Sequence, residues 1–450
     1  MAVVAVVQPE RTGKYRRAHL NWISLTLIAV VCLQRRPRHT HQELFDQQFH
    51  LIEKKMHSFT KKSTCFFATA FAIAIATSPV TAVAAEPVVL NSAVLSPTAA
   101  VNANPELVAE TPALQTWHEK MKKIGPPAAG CFHASYPSAN WEKVTCGPRP
   151  TYRSSRPVLP SPVLRSLSRE EVKPQTVGNG TDYAAQAAGI IQSATGSFPV
   201  VSGVKSEKGV NVLFGGSMSN GTIGANQYTL QLNTDINASS TACAKLGYGS
   251  CNVWEQYLYS TDAYTDGTHP MAFIQSWVFP SQADYNSAGC PASAGWDDAT
   301  DSNGPACVHN SNGISTPQFA ISQLANMKLS GSASSTGNDV VTLTVGKDVY
   351  ADRVSDSTVF AALWWKQAEF TLVGNGGGSQ ASFNKGSSIS VNLAINDGGT
   401  HAPTCLGPAG HGSTGETNNL TLGKCTAKAG TAANGSVAAT NPYIQFTAAN

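Results

Sequence analysis

From Asp182 to the C-terminus this chain has a single arginine, Arg353. The same stretch holds 10 Lys and Arg residues against 17 Asp and Glu residues, and it has no basic run with interleaved aromatics. Nucleic-acid binding is therefore not expected. The segment from Trp117 to Lys173 has the opposite balance, with 10 basic residues against 4 acidic ones. A weakly acidic body thus follows a basic segment.

Several motifs of metal and nucleophile chemistry are also missing from the sequence. There is no C-x-x-C, which argues against a zinc site, and His401 and His411 have no H-E-x-x-H partner. No G-x-S-x-G occurs. The stretch D-D-A-T-D-S-N-G, Asp297 to Gly304, lacks the first Asp of a calcium loop and is interpreted as a turn. We expect no metal and no cofactor.

No apolar run is long enough for a membrane span. The run Leu20–Leu33 has 14 residues, whereas a spanning helix needs roughly 20. A later run fits a signal peptide instead: Lys61-Lys62, an apolar stretch from Cys65 to Ala76, and Ala82-Val83-Ala84, with cleavage near Ala84 or Ala85. We therefore expect no stable membrane anchor after signal cleavage.

The position of this signal suggests a later start site. A signal peptide works only at the beginning of a nascent chain, so Met56 is interpreted as the initiator and residues 1–55 as an upstream over-extension. The rival interpretation is an N-terminal anchor at Leu20–Leu33. Residues 56–85 are the signal peptide, and we expect a secreted protein, or a periplasmic one in a Gram-negative bacterium.

Cysteine usage agrees with export. Of the ten cysteines, Cys32 and Cys65 precede the cleavage site and eight remain. Proximity in sequence suggests four disulfides, each closing one loop in an oxidising compartment. The expected pairs are Cys131 with Cys146, Cys243 with Cys251, Cys290 with Cys307, and Cys405 with Cys425.

Residues 86–178 are interpreted as a linker or pro-segment with one small disulfide unit. Leu114 to Ile124 has helical spacing of its apolar residues, and Cys131 to Cys146 forms the disulfide unit. Gly147 to Lys173 is rich in Pro and Arg, which suits neither helix nor central strand and favours cleavage by proteases.

Residues 179–450 are predicted to form an antiparallel β-sandwich, all-β and of the jelly-roll or concanavalin-like kind. Short period-two runs are separated by Gly, Asn, Ser and Asp turns, without βαβ alternation. The predicted strands are Val210–Phe214, Gln227–Asn233, Asn252–Ser260, Met271–Phe279, Met327–Ser332, Val340–Val345, Val349–Arg353, Ala368–Val373, Gln380–Asn384, Ile389–Ile395 and Tyr443–Thr447. The predicted helical stretches are Tyr183–Ile191, Pro317–Leu324 and Ser357–Trp365.

Strand alternation assigns side chains to faces. The face-sharing sets are Trp254, Gln256 and Leu258; Phe273, Gln275 and Trp277; and Glu369, Thr371 and Val373. Each strand places one polar side chain among large apolar ones. This pattern predicts a groove floored by aromatics, in which Trp254, Gln275, Trp277 and Phe273 would bind substrate.

A Glu in such a groove suits acid-base chemistry. Desolvation by apolar neighbours raises the pKa of a carboxyl group, so Glu369 could take or give a proton under mildly acidic conditions. A Gln amide beside it can donate a hydrogen bond to a developing oxyanion. A Glu and Gln pair could therefore activate water without Ser, Cys or a metal.

The strand order resembles that of the glutamic peptidases, the eqolisin family, and more distantly the neprosin-like proteins. The similarity runs from Asn252 to Asn450 and lies in V-W-E-Q-Y-L-Y-S, A-F-I-Q-S-W-V-F-P, D-V-V-T-L-T-V, A-E-F-T-L-V-G and F-N-K-G-S-S-I-S-V. The resemblance implies a β-sandwich that cleaves peptide bonds at acid pH with a Glu and a Gln. It also implies a basic pro-segment.

Carried onto this sequence, the resemblance makes Glu369 and Gln256 the catalytic residues. Gln275 and Glu255 are the alternatives to Gln256, since the neprosin-like proteins use two Glu residues. The family's strand of tryptophan and glycine before its Gln is not visible here. Glu416 is placed in a loop closed by Cys405 and Cys425.

Two hypotheses follow. The first is a monomeric, secreted, acid-active endopeptidase that acts on polypeptide. The second is a non-catalytic β-sandwich that binds glycan or protein through the aromatic groove. In the simplest interpretation of the residues, Glu369, Gln256 and Gln275 are solvent-facing positions of half-exposed strands.

Overall fold

The structure, a computed structural model, describes residues 110–151, 175–176, 182–210, 213–214, 217–218, 222–264, 269–301, 304–335, 337–376, 379–407, 416–435 and 438–450. The predicted over-extension, the signal peptide and most of the Pro- and Arg-rich stretch lie outside these residues. Within the described ranges, no helix is long and apolar enough to cross a membrane.

Two large antiparallel sheets pack face to face, which confirms the predicted β-sandwich. Strands are numbered in chain order. Among the described residues, sheet 1 has ten strands: β1 (Gly130–Ser135), β2 (Glu142–Val144), β5 (Ser193–Ser202), β16 (Met327–Ser332), β17 (Asn338–Val345), β18 (Asp348–Ser355), β21 (Ser388–Asn396), β24 (Thr421–Leu422), β25 (Thr426–Lys428) and β26 (Tyr443–Ala449). Its order is β2-β1-β18-β17-β16-β5-β21-β26-β24, and β25 also pairs with β26.

Sheet 2 likewise has ten strands in the described part of the chain: β3 (Gln175–Thr176), β4 (Ala184–Gln186), β10 (Tyr228–Ala238), β11 (Cys251–Ser260), β12 (Met271–Pro280), β13 (Asp297–Asp298), β14 (Cys307–Asn310), β15 (Ile314–Ser315), β19 (Gln367–Gly374) and β22 (Thr404–Leu406). Its order is β13-β14-β12-β11-β10-β19-β4-β22. Strand β15 pairs with β12, and β3 pairs with β10.

Smaller elements complete the fold. A small sheet contains β6 (Glu207–Val210), β9 (Thr222–Ala225), β20 (Gln380–Phe383) and β23 (Thr417–Asn418), and β7 (Leu213–Phe214) pairs with β8 (Ser217–Met218). The α-helices are α1 (Pro112–Ile124), α2 (Ser240–Leu246) and α3 (Gln282–Ala288). Turns of 3₁₀ helix lie at Ala292–Ala294, Ile321–Asn326, Asp356–Thr358 and Ala361–Leu363.

The core lies between the two large sheets because each strand alternates apolar and polar residues. On β17, Val341 and Leu343 are buried while Thr342 is half-buried. Two glycines permit close approach of the sheets. A Cβ at Gly196 would collide with the Phe370 ring, and one at Gly331 would collide with the Tyr257 ring.

All four predicted disulfides are present. Cys131 bonds to Cys146, Cys243 to Cys251, Cys290 to Cys307, and Cys405 to Cys425. The Cys131–Cys146 unit belongs to sheet 1, since β1 pairs with β18 over Gly130–Ser135. Helix α1 packs on this unit through Leu114, Trp117 and Met121, as its helical spacing predicted.

The helix predicted at Tyr183–Ile191 is wrong. Residues Ala184–Gln186 form strand β4, paired with β19 on one side and β22 on the other. Tertiary pairing of these buried alanines overrides their local preference for helix. The helices α2 and α3 were not predicted. Each begins after a serine cap, Ser239 and Ser281, a signal that short polar turns also carry.

The other two predicted helices are 3₁₀ turns, at Ile321–Asn326 in place of Pro317–Leu324 and at Asp356–Thr358 and Ala361–Leu363 in place of Ser357–Trp365. The strand predicted at Val210–Phe214 is divided, since β6 ends at Val210 and β7 begins at Leu213.

Candidate functional site

The face of sheet 2 that points away from sheet 1 carries a concentration of polar side chains. On β10, Leu230 and Leu232 belong to the core between the sheets, so the alternate residues Thr229, Gln231 and Asn233 lie on the outer face. All three polar residues are nevertheless buried. Buried polar groups need hydrogen-bond partners, and this face supplies them.

Strand register aligns these side chains into a row. Asn233 of β10 lies opposite Gln256 of β11 on one side and Glu369 of β19 on the other. Gln256 lies opposite Gln275 of β12, which in turn lies opposite Asn310 of β14. We refer to Asn310, Gln275, Gln256 and Asn233 as the amide row, and Glu369 stands at its end.

Hydrogen bonds connect the amide row from end to end. Gln275 Nε2 donates to Asn310 Oδ1 at 2.8 Å, and Gln256 Nε2 donates to Asn233 Oδ1 at 2.9 Å. Asn233 Nδ2 donates to Glu369 Oε2 at 2.8 Å. The Trp277 indole bridges the middle of the row, donating to Gln256 Oε1 at 3.2 Å and to Gln275 Oε1 at 2.9 Å.

Apolar side chains flank the amide row on both sides, as the alternation predicted. Trp254 and Trp277 lie opposite each other on one side, with ring centroids 6.2 Å apart. Leu258 and Phe273 lie opposite each other on the other side. These residues, together with Gln256 and Gln275, are at most 1 % exposed. The aromatics therefore form a closed layer in this structure.

Glu369 shares its end of the row with a second acid, Asp182. Both side chains are 1 % exposed, and the two carboxyl groups lie against each other. Burial raises the pKa of Glu369 well above its usual range, and the neighbouring Asp182 raises it further. Burial also raises the pKa of Asp182, to about 6.

A third acid approaches the same face from the loop between Cys405 and Cys425. Glu416 lies in that loop, as predicted, but it is fully buried, and its Oε2 accepts a hydrogen bond from Gln231 Nε2 at 2.8 Å. Its charge also raises the pKa of Glu369. The sequence gave no reason to place this loop residue against the carboxyl pair.

The structure separates the candidate partners of Glu369. Gln256 reaches Glu369 through the intervening Asn233, and Gln275 lies one strand further away. Glu255 is next to Gln256 in sequence, so it lies on the opposite face of β11. There its Oε2 accepts a hydrogen bond from Ser276 Oγ at 3.3 Å. Glu255 therefore does not face Glu369.

Two residues of the site were missed by sequence reasoning. Asn233 ends an alternating run, Y-T-L-Q-L-N, whose polar members could have been aligned with Gln256 and Glu369. Asp182 stands before the stretch that was predicted as a helix, so its strand register could not be assigned. Alternation was the available signal for Asn233, whereas no local signal identifies Asp182.

Described residues on both sides of the Pro- and Arg-rich stretch contact sheet 2 on this side. Asn310 Nδ2 donates to the Pro150 carbonyl at 3.0 Å, and Thr151 Oγ1 donates to the Tyr264 carbonyl at 3.2 Å. Strand β3, Gln175–Thr176, pairs with Asp235 and Ile236 of β10. The chain thus leaves and rejoins the sandwich beside the amide row.

Neither metal-like geometry nor a cavity coincides with the carboxyl pair. In the described ranges, the three-ligand group found is Cys131, Cys146 and Asp352, whose sulfurs already form a disulfide. A groove of about 860 Å³ lies on the outer face of sheet 1, beneath α1. It is lined by Ser, Thr, Asn and Lys side chains and is remote from Glu369 in the fold.

A scan against protein-family models finds no family that matches the chain, and a search of curated proteins finds no matching relative. The resemblance to glutamic peptidases therefore stays an expectation. The functional argument depends on the arrangement of Glu369, Asp182 and the amide row.

Proposed function

We propose that this chain is the precursor of a secreted, acid-active endopeptidase in which Glu369 activates water against a peptide bond. The observation that carries the proposal is the position of Glu369. It is a buried carboxyl group at the end of a hydrogen-bonded amide row between aromatic side chains. Such an arrangement combines a proton acceptor with neutral hydrogen-bond donors, the two groups that acid hydrolysis of an amide requires.

In this mechanism Glu369 takes a proton from the attacking water. The water oxygen bonds to the carbonyl carbon, and an amide N–H stabilises the negative charge on the carbonyl oxygen. Protonated Glu369 then gives its proton to the leaving amine. Asn233 is the amide that contacts Glu369, so we assign it the donor role next to the base. Gln256 orients Asn233 by donating to its oxygen.

The buried arrangement supports a precursor. With its pKa raised well above the usual range, Glu369 stays protonated and cannot accept a proton from water. Its burial also leaves a substrate no access. Uncovering the face would admit both solvent and substrate and would lower this pKa. The pro-segment predicted within residues 86–178 is the candidate cover, since the chain enters and leaves it beside the amide row.

The test is digestion of casein at acid pH by the exported protein after proteolytic activation. Wild type and Glu369→Gln are compared, with Glu255→Gln as the matched control because Glu255 lies on the opposite face of the same sheet. We expect Glu369→Gln to lose activity by about 10²- to 10⁴-fold and Glu255→Gln to keep it. Equal activity of wild type and Glu369→Gln would end the proposal.

The rival function, glycan or protein binding through an aromatic groove, has less support. Trp254, Trp277 and Phe273 would form that groove, but all three are at most 1 % exposed. Binding would therefore need the same uncovering as catalysis. It differs in one outcome, because Glu369→Gln would leave binding of a glycan or protein intact.

A further inference from the structure

Asp182 occupies a defined position on the outer face of sheet 2. Ala184 lies opposite Glu369 in the pairing of β4 with β19. Asp182 precedes Ala184 by two residues, so it lies diagonally across from Glu369 and next to Thr371 on the same face. Diagonal neighbours on paired strands are within side-chain reach of each other. The register therefore supports the contact between the two carboxyl groups.

The Asp182 carboxyl group has no conventional hydrogen-bond donor in the described part of the chain. Both of its oxygens are buried without one, and the nearby Thr371 hydroxyl lacks hydrogen-bonding geometry toward it. Within the same ranges, no cationic side chain forms an ion pair with Asp182 or Glu369. Two buried carboxylates in contact would repel each other strongly, whereas a proton held between them provides the missing hydrogen bond.

The other groups around the pair do not remove this constraint. Asn233 donates to Glu369 from β10 and is neutral. Glu416, which reaches the face from its disulfide-closed loop, is an acid and accepts from Gln231. The titratable groups that act on Glu369 are thus Asp182 and Glu416, and both raise its pKa. Neither can replace the shared proton as a source of stabilisation.

We propose that Asp182 and Glu369 form a carboxyl dyad that shares one proton, and that Asp182 is a second catalytic residue of the proposed peptide hydrolysis. The inference rests on the proposed function for its catalytic part only. The shared proton stands on the contact, the burial and the missing donor.

The dyad supplies both proton transfers of the first step. The ionised carboxyl group removes a proton from water while the water oxygen forms a bond to the carbonyl carbon. The π electron pair of the carbonyl moves onto its oxygen, which takes the proton of the other carboxyl group. Because Asn233 donates to Glu369, Glu369 is the member stabilised as carboxylate, and Asp182 carries the proton in the uncovered site.

The second step restores the dyad. The C–N bond of the tetrahedral intermediate breaks, and its electron pair moves onto the nitrogen, which takes the proton that Glu369 received. The hydroxyl proton of the forming carboxylic acid returns to Asp182. Water is consumed, an acid and an amine are released, and no other reactant is needed.

The shared proton can be detected without any assay of activity. Infrared difference spectra of the full-length protein at pH 7 report the C=O stretch of protonated carboxyl groups. We expect a band in the wild type that disappears in both Asp182→Asn and Glu369→Gln, because each amide can donate to the remaining carboxylate. Glu207→Gln is the control, since Glu207 is another buried acid, lies in the small sheet, and should remove a different band.

The catalytic part is tested on proteolytically activated protein with a peptide substrate. We expect Asp182→Asn to reduce kcat/KM by about 10²- to 10⁴-fold and to flatten the limb of the pH profile that Asp182 controls. The double variant with Glu369→Gln should lose little more than either single one, since the two carboxyl groups act as a unit. Glu207→Gln should retain activity. Asp182→Ser provides a second variant if Asp182→Asn fails to form the four disulfides.

The outcomes separate the two proposals. If wild type hydrolyses peptide and Asp182→Asn does so within about threefold and with the same pH profile, the catalytic role of Asp182 is overturned while that of Glu369 stands. If the common band is absent from the wild type, the shared proton is overturned. If the band is present but the wild type never hydrolyses peptide, the proposed function fails and only the proton-sharing pair is supported.

Discussion

Glu207 shows what a buried carboxyl group does without a partner acid. It lies on β6 of the small sheet and is 1 % exposed, and neither oxygen accepts a side-chain hydrogen bond from the described residues. Burial raises its pKa to about 8. Glu369 is similarly buried, but it has Asp182, Asn233 and Glu416 around it. A raised pKa alone therefore does not define a site, and the surrounding groups distinguish the two acids.

Glu207 should make the protein less stable as the pH rises. Its pKa is 4.5 when unfolded and about 8 when folded, so between these values the native state holds a proton that the unfolded state has lost. The free energy of unfolding therefore falls by about 1.4 kcal/mol per pH unit in that window. Glu207→Gln removes this contribution, and urea unfolding at pH 5, 6, 7 and 8 should show a shallower decline than in wild type.

The exposed Glu119 on α1 provides the control for that experiment. Glu119→Gln removes a carboxylate without changing a buried group, so its stability should follow the wild-type pH dependence. Parallel curves for wild type and Glu207→Gln would show that Glu207 is ionised in the native state and hydrated by a route that the burial does not indicate.

At the residue scale, the sequence predicted faces better than partners. Alternation placed Gln256, Gln275 and Glu369 on one face of sheet 2, because side-chain direction depends only on a period of two. The partner of Glu369 depends on which strand lies between β11 and β19, and that is a long-range property. Asn233 occupies this strand, so the predicted direct contact of Gln256 with Glu369 is an indirect one.

At the element scale, the loop closed by Cys405 and Cys425 brings three contacts to the site. It carries Glu416 to Gln231, pairs β23 with β20, and anchors Asn418 Nδ2 on the Leu372 carbonyl at 2.8 Å. The disulfide thus holds a segment that would otherwise need several weak interactions to stay on sheet 2. Its loss should loosen this segment before it unfolds the sandwich.

Cys405→Ser combined with Cys425→Ser tests this idea. The disulfide spans a sequence separation of 20 residues, and removing it should lower the free energy of unfolding by about 3 kcal/mol. Proteolysis between Cys405 and Cys425, mapped by mass spectrometry, should become faster than elsewhere in the chain. The stability change is measured by urea unfolding under non-reducing conditions.

The matched control is Cys243→Ser with Cys251→Ser, which opens a loop of sequence separation 8. Its cost should be about 2.5 kcal/mol because a shorter loop is released. It should leave cleavage near Glu416 unchanged. If both double variants are cut equally fast between Cys405 and Cys425, the disulfide does not hold that segment on sheet 2.

Element existence was more predictable than element order. Strands such as β17 and β21 were confirmed because their alternation is local. The pairing of β1 with β18 joins residues more than 200 positions apart in sequence, for example Cys131 with Asp352, and no local pattern specifies it. For the same reason the helix predicted at Tyr183–Ile191 gave way to β4, since its neighbours β19 and β22 are distant in the chain.

At the scale of the whole molecule, the basic segment and the acidic body are complementary. Residues 117–173 carry 10 basic and 4 acidic side chains, a net charge of +6, and residues 182–450 carry 10 and 17, a net charge of −7. None of the four disulfides joins residues 110–151 to the rest of the described chain. The attachment therefore consists of β1 pairing, α1 packing and charge.

One ion-pair cluster makes this attachment sensitive to acid. Glu110 accepts from Lys328 Nζ of β16 at 2.5 Å, and its Oε1 lies 2.9 Å from His118 Nδ1 of α1. These partners lower the pKa of Glu110 from 4.5 to about 2. Since the folded pKa is depressed, the stabilisation is present above pH 4.5 and is lost as the pH falls toward 2. Partial exposure limits its size to about 1 kcal/mol.

Cleavage within residues 152–174, where Arg165, Arg169 and Lys173 offer trypsin sites, should therefore yield two pieces held together without a covalent bond. We expect them to co-elute in gel filtration at pH 7 and low salt, and to separate on a denaturing, non-reducing gel. The dissociation constant should rise by at least about tenfold between pH 7 and pH 3, the equivalent of 1.4 kcal/mol. It should also rise in about 1 M NaCl, where the Debye length is about 3 Å. Lys328→Gln should weaken the complex at pH 7 and reduce its further weakening by acid. A dissociation constant that is independent of pH and salt would show that strand pairing and apolar packing alone hold the N-terminal piece, and acid could not then uncover the site by releasing it.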